Sequence, residues 1–129
     1  MKLDEYQKLA IRTAKKVDQN FDLMHVAFGL SGEAGEFADA IKKHLVYGKE
    51  LDKGNVIEEI GDILWYIALA CDTMGVDISE VAQQNITKLK LRYPEKYTDK
   101  HASDRLDKIC RCLNPVLCDL HDRCMKGDV

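Results

Sequence analysis

A chain of 129 residues, 46% hydrophobic and 32% charged, is long enough to bury a core as one domain and short for two. A formal net charge of −3 and a pI near 5.8 leave no basic footprint, which argues against a nucleic-acid polymer as partner. No run approaches the roughly 18 apolar residues of a membrane span, and Met1-Lys2-Leu3-Asp4-Glu5 does not open a secretory signal, so a cytoplasmic protein with no membrane partner is expected.

Taken in order, the apolar positions Tyr6, Leu9, Ala10, Thr13 and Val17 recur at helical spacing, with Asp4 and Gln7 as a capping box. They predict a first helix from Asp4 to about Gln19. Asn20 or Asp22 can cap a second helix whose periodic residues run from Leu23 through Val26, Leu30, Phe37 and Ile41 to Leu45, with Gly48 as terminator. A short polar loop over 47–54 favours antiparallel packing of what it joins. Asn55 with Glu58 reads as the capping box of a third helix that Gly75 ends. Asp77 with Glu80 opens a fourth, which stops near Tyr93 because Pro94 disfavours helix before it. Residues 95–102 read as a polar connection. Ser103 can cap a short helix to about Leu113, where Asn114-Pro115 interrupts, and a last turn or helix can occupy 116–125. Without repeats or alternating strand patterns, the fold class is all-α, an antiparallel four-helix-bundle-like domain over 1–105 with a short C-terminal helical extension over 106–129.

The chemistry concentrates on the second and third helices. Glu33 and Glu36 lie three residues apart, as do Glu59 and Asp62, and each pair projects from one helix face. Both pairs sit against apolar runs, Val26 to Leu30 before the first and Ile63 to Ala70 after the second. Carboxylates converging in a partly dry space repel one another and are costly to desolvate, so a cation has to compensate. Oxygen ligands in this number suit Mg²⁺, with Mn²⁺ as a substitute, and a carboxylate-held Mg²⁺ keeps positions open to water and substrate phosphates. Glu58 is spoken for by the capping box, which leaves Glu59 and Asp62 as the second pair. Ser31, Gly32, Ala34 and Gly35, and Gly61 between the second pair, are expected to let a second helix approach closely.

Three ordered blocks carry a family resemblance: Gly29-Leu30-Ser31-Gly32-Glu33-Ala34-Gly35-Glu36, then Glu59-Ile60-Gly61-Asp62-Ile63-Leu64-Trp65-Tyr66, then Asn85-Ile86-Thr87-Lys88-Leu89 with Arg92-Tyr93-Pro94. Together they resemble the MazG-like nucleotide pyrophosphohydrolases of the all-α nucleoside triphosphate pyrophosphatase superfamily, whose signature is ExxE followed after a spacer by ExxD. The resemblance spans about residues 5 to 105. It implies a nucleotide as small-molecule substrate and water attack at the α-phosphorus, releasing a nucleoside monophosphate and pyrophosphate. It implies Glu33, Glu36, Glu59 and Asp62 as Mg²⁺ ligands, with Glu33 or Glu36 accepting the water's proton. For Asn85, Lys88 and Arg92, which share one face of the fourth helix, it implies contacts to phosphate oxygens that the metal does not reach. Base and sugar preference stay open, a deoxynucleotide such as dUTP or dCTP included. A non-catalytic nucleotide-sensing or protein-binding helical module is the alternative, and the intact set of acids and bases argues against it.

Other residues have plainer readings beside functional ones. His25, two turns before Glu33, can touch a base or sugar or can be a satisfied structural histidine. Trp65 and Tyr66 can stack on a base, but aromatic residues in an apolar helix usually pack the core. Tyr93 can close the site or pack the helix end. Cys110, Cys112, Cys118, His121 and Cys124 invite a zinc site, yet their spacing lacks paired knuckles, and five cysteines in all suggest reduced thiols rather than a disulfide framework. The third helix is apolar nearly all round from Ile63 to Ala70, which predicts a homodimer or homotetramer that covers it.

Overall fold

The computed structural model describes residues 1–109, and the Cys110 to Cys124 cluster lies outside them. Every element among the described residues is helical, as the all-α expectation requires: α1 (Leu3–Ala10), a 3₁₀ turn (Ile11–Thr13), α2 (Gln19–Leu45), α3 (Lys53–Thr73), α4 (Ile78–Arg92), α5 (Asp99–Asp104) and α6 (Leu106–Ile109). The chain divides into two compact units, Met1–Glu80 and a second beginning at Val81. No helix among the described residues is long and apolar enough to cross a membrane.

In the first unit α2 and α3 form the principal pair, and α1 packs on α3. Gly29 meets Tyr66 while Glu33 meets Glu59 and Asp62, so positions rise along α2 as they fall along α3 and the two helices run antiparallel. The core is small: Val26, Ala68, Leu69 and Cys71, joined by Ile78 from the first turn of α4.

The first helix is shorter than its periodicity suggests. It ends at Ala10, and Ala14 is already extended with ψ 134°. The cause is tertiary. The Trp65 indole N–H donates to the Ala10 carbonyl (3.1 Å) and the Thr13 hydroxyl (2.9 Å), and the Ala14 N–H falls back to Ile11 in a 3₁₀ bond. The Val17 N–H then donates to the buried Asp22 carboxylate (3.2 Å), holding the extended segment that leads into α2.

Several caps fall to other residues than expected. Asp18 caps α2 by accepting from the Phe21 N–H, in place of Asn20 or Asp22. Asp52 caps α3 by accepting from the Asn55 N–H, so the Asn55–Glu58 box does not form. Asp4 and Gln7 do not box α1. They reach instead to the start of α4, where Asp4 accepts from the Ser79 N–H (3.0 Å) and hydroxyl (2.8 Å), and Gln7 accepts from the Ile78 N–H (2.7 Å). The Gln7 amide also donates to the Val76 carbonyl (3.0 Å). Exposed donors at a helix N-terminus need acceptors, and here a neighbouring helix supplies them.

The glycine stops hold, with Gly48 at φ +64° after α2 and Gly75 at φ +68° after α3. In the second unit α5 starts at Asp99 under a Thr98 cap, so the helix precedes the predicted Ser103 start and shortens the polar connection. Arg105 in the left-handed region (φ 49°) separates it from α6.

Candidate functional site

Packing of α2 on α3 puts Glu33 on the α3-facing side of α2, and Glu59 with Asp62, three residues apart, on the α2-facing side of α3. Antiparallel packing then brings carboxylate oxygens of Glu33, Glu59 and Asp62 to within 4.8 Å of one another. Glu59 is buried, Glu33 half-buried and Asp62 exposed, so the cluster opens to solvent on one side. Burial pushes the Glu33 carboxyl above the ordinary glutamate range, with the charges of Glu36 and Asp62 adding to it, against a hydrogen bond with Glu59. Glu59 is raised likewise, by burial first and then by Glu36, Glu33, Asp62 and Glu58. Burial disfavours the charged form of each carboxyl, and the neighbouring negative charges add to it.

Glu36 stands outside the close triad but near enough to act on both raised carboxyls. It lines an adjoining open recess of about 350 Å³ with Gly32, Gly35, Asp39 and Lys43 of α2 and Asn55 and Glu59 of α3. Asp39 pairs with both Lys42 (2.6 Å) and Lys43 (2.9 Å), and these bonds draw its carboxyl down to about 2. The same bond to Asp39 raises the Lys43 ammonium, helped by the charges of Asp39, Glu36 and Glu59.

The small residues serve differently from expectation. A Cβ at Gly32, Gly35 or Gly61 would meet no atom within 4 Å, so no helix of the described chain closes on them. The close approach occurs one turn earlier, at Gly29, where a Cβ would lie 2.1 Å from the Tyr66 ring. Glu58 is exposed and caps nothing. The preference for Glu59 over Glu58 therefore stands on the side of α3 each residue occupies, not on capping.

His25 sits in an aromatic nest, edge-on to Tyr66 (5.6 Å between centroids) and to Trp65 (6.2 Å), and tilted against Phe21 (6.3 Å). Its Nδ1 is buried with no hydrogen-bond partner. Trp65 packs edge-to-face on Tyr66 at 4.8 Å and spends its N–H on α1, so its plainer, structural reading accounts for its surroundings.

Asn85, Lys88 and Arg92 lie on α4 in the second unit. Arg92 is held there by both oxygens of the Asp107 carboxylate, at 2.7 and 2.5 Å, which drives the Asp107 carboxyl far below its usual range. Its guanidinium also lies 5.8 Å from the centre of the Tyr93 ring, which packs against Tyr97.

The sequence offered Tyr6 and Asn55 only as structural positions, and Asp39 and Lys43 were not among its candidate residues. Tyr6 on α1 is near enough to Asp62 that burial and that negative charge raise its phenol, and no local pattern could have announced it. Asp39 and Lys43 continue the stripe of Glu36 at spacings of three and four, a signal that was present.

The family model described as the MazG nucleotide pyrophosphohydrolase domain matches residues 14–97. The chain is 37% identical over 106 residues to the Gene 37 protein of Mycobacterium phage L5, covering 71% of this chain and 89% of that one. No solved structure matches. With the family match spanning both acidic pairs and the Asn85 to Arg92 block, the chain belongs to the MazG nucleotide pyrophosphohydrolase family.

Proposed function

We propose that this protein hydrolyses a nucleoside triphosphate or deoxynucleoside triphosphate between its α and β phosphates, yielding the monophosphate and pyrophosphate, with Mg²⁺ as cofactor and Mn²⁺ as substitute. The observation that carries the reading is the convergence of Glu33, Glu59 and Asp62 oxygens within 4.8 Å in a member of a pyrophosphohydrolase family. The donor set fits a hard divalent cation: all oxygen, one carboxylate buried, and two carboxyls held above their ordinary range by burial and by neighbouring negative charge that a cation would offset. When bound, the cation supplies charge screening and polarisation at the phosphate oxygens.

The chain's own residues take the remaining roles. Glu33, Glu36, Glu59 and Asp62 would hold the cation, and Glu33 or Glu36 would accept the proton of the attacking water. Glu36 suits that step because it lines the recess without belonging to the close triad. Lys88 is assigned to the charge developing on the leaving pyrophosphate, with Asn85 and Arg92 as further donors, all three from the matching family block. Arg92 would exchange the Asp107 carboxylate for phosphate oxygens, a like-for-like swap of bidentate acceptors. His25 is assigned to the base or sugar, supported by its buried Nδ1 without a partner. The active unit is taken as a homodimer or homotetramer.

Chromatography of digests of the common nucleoside and deoxynucleoside triphosphates, with Mg²⁺ and with chelator, tests the reading. Monophosphate and pyrophosphate in equal amounts, only with the metal, are expected. A diphosphate with orthophosphate would mean attack at the terminal phosphate and a different activity.

A further inference from the structure

We propose that Lys43 is a phosphate-binding residue of this site, taking the polyphosphate end remote from the acidic triad, and that Asp39 is the positioning residue that sets its ammonium there. The proposal rests on the pyrophosphohydrolase reading above and adds to it a donor from the first unit.

Glu36, Asp39 and Lys43 form one stripe of α2. Lys43 lies seven residues beyond Glu36, roughly 10 Å along the axis at 1.5 Å per residue. Helical side chains lean toward the N-terminus, so the Lys43 stem runs back toward Glu36, and Asp39 holds its ammonium at 2.9 Å. The recess of about 350 Å³ is continuous from Glu59, a member of the triad, past Glu36 and Asn55 to Lys43.

A cation held at the triad neutralises only the oxygens within its reach. A polyphosphate extending along the recess carries charge beyond that point, among the carboxylates of Glu36 and Asp39, and needs a positive group there. An ammonium has three donors, and the bond to Asp39 leaves two for phosphate oxygens. A solvated surface pair would explain the Asp39 contact, but not a lysine that lines the recess with Glu36 and Glu59. Lys42 provides the contrast: it binds the same Asp39 at 2.6 Å and does not line the recess.

The test is calorimetric binding of inorganic pyrophosphate to the full chain in Mg²⁺, alongside Mn²⁺ affinity and steady-state kinetics, for wild type, Lys43→Gln, Lys43→Arg, Asp39→Asn and Lys42→Gln. Lys43→Gln is expected to weaken pyrophosphate by about tenfold, the scale of one charge-assisted bond, and to raise KM more than it lowers kcat. Lys43→Arg should restore most of that affinity, and Asp39→Asn should fall between. Lys42→Gln should stay within about twofold. Mn²⁺ should bind Lys43→Gln as well as wild type or tighter, since a positive charge beside the acids is gone. Equal affinity in wild type and Lys43→Gln, an equal loss in Lys42→Gln, or no pyrophosphate binding by wild type would overturn the proposal. If pyrophosphate binding depends on Lys43 while no nucleoside triphosphate is cleaved, the activity reading fails and Lys43 stands. Turnover undiminished in Lys43→Gln, with unchanged pyrophosphate affinity, sinks the Lys43 role alone.

Discussion

Glu59 shows what this site costs the protein at the level of single residues. It is only 7% exposed and faces two other carboxylates, and its carboxyl is held above the ordinary value of 4.5. A carboxyl raised in the folded state binds more protons there than in the unfolded chain, so metal-free stability falls as pH climbs from about 4.5 through the raised values of Glu33 and Glu59. Glu59→Gln should therefore raise the melting temperature of the metal-free protein at pH 7 and flatten that acid-side slope, and Mg²⁺ should do the same for wild type alone. Scanning calorimetry from pH 4 to 8, run once in chelator and once in Mg²⁺, reads both effects. Glu36→Gln and Asp62→Asn should keep helical circular dichroism and melt at or above wild type, yet lose Mg²⁺-dependent turnover by roughly two orders of magnitude, the scale of a lost charge-stabilising group. Retained activity in both would refute the site.

Among the elements, the α2–α3 contact sets the geometry, and its closest point is Gly29 against Tyr66. A methyl group at position 29 would collide with the hydroxyl-bearing end of the Tyr66 ring, so the helices must part or Tyr66 must swing out of its place. Gly29→Ala is expected to destabilise by about 1–3 kcal/mol, the range for overpacking a filled contact, and to lower Mn²⁺ affinity because Glu33 lies one turn further along. Urea unfolding of Gly29→Ala with and without Tyr66→Ala checks this. The glycine substitution should cost much less in the truncated background, and equal costs would place the strain elsewhere. The other governing contact is Trp65, whose N–H stops α1 by capturing the Ala10 carbonyl. It lets the chain turn at Ala14 and enter α2 at Asp18.

At the scale of the whole molecule, few side chains among the described residues are fully covered, while Phe28 (71% exposed), Ile57 (68%) and Ile60 (50%) lie open on the two helices that carry the acids. Ile57, Ile60 and the uncontacted Gly61 share a face of α3, and such a surface beside a candidate site is unusual on a monomer. A second copy of the chain is the cover we expect. Light scattering at micromolar concentration should give at least twice 14.7 kDa. Dilution should lower specific activity, and Ile60→Glu should shift the chain toward monomer while its helical content persists. About 15 kDa with full activity would refute the expectation.

The sequence by itself determined the helical class, the extents of α2 and α4, and the glycine stops at Gly48 and Gly75, because these follow from periodicity and backbone sterics within one helix. Tertiary structure alone decided where α1 ends and which residues cap α3 and α4. A buried donor or an exposed helix end takes whichever acceptor packing brings near, as the Trp65 N–H takes the Ala10 carbonyl and the Ser79 N–H takes the Asp4 carboxylate. The same holds for the candidate site. Spacing put two carboxylates on each face, but the antiparallel register of α2 on α3 selected Glu33, Glu59 and Asp62 as the close set, moved Glu36 to the recess and set Lys43 on its wall. Register is a relation between two helices, and no single stretch of sequence carries it.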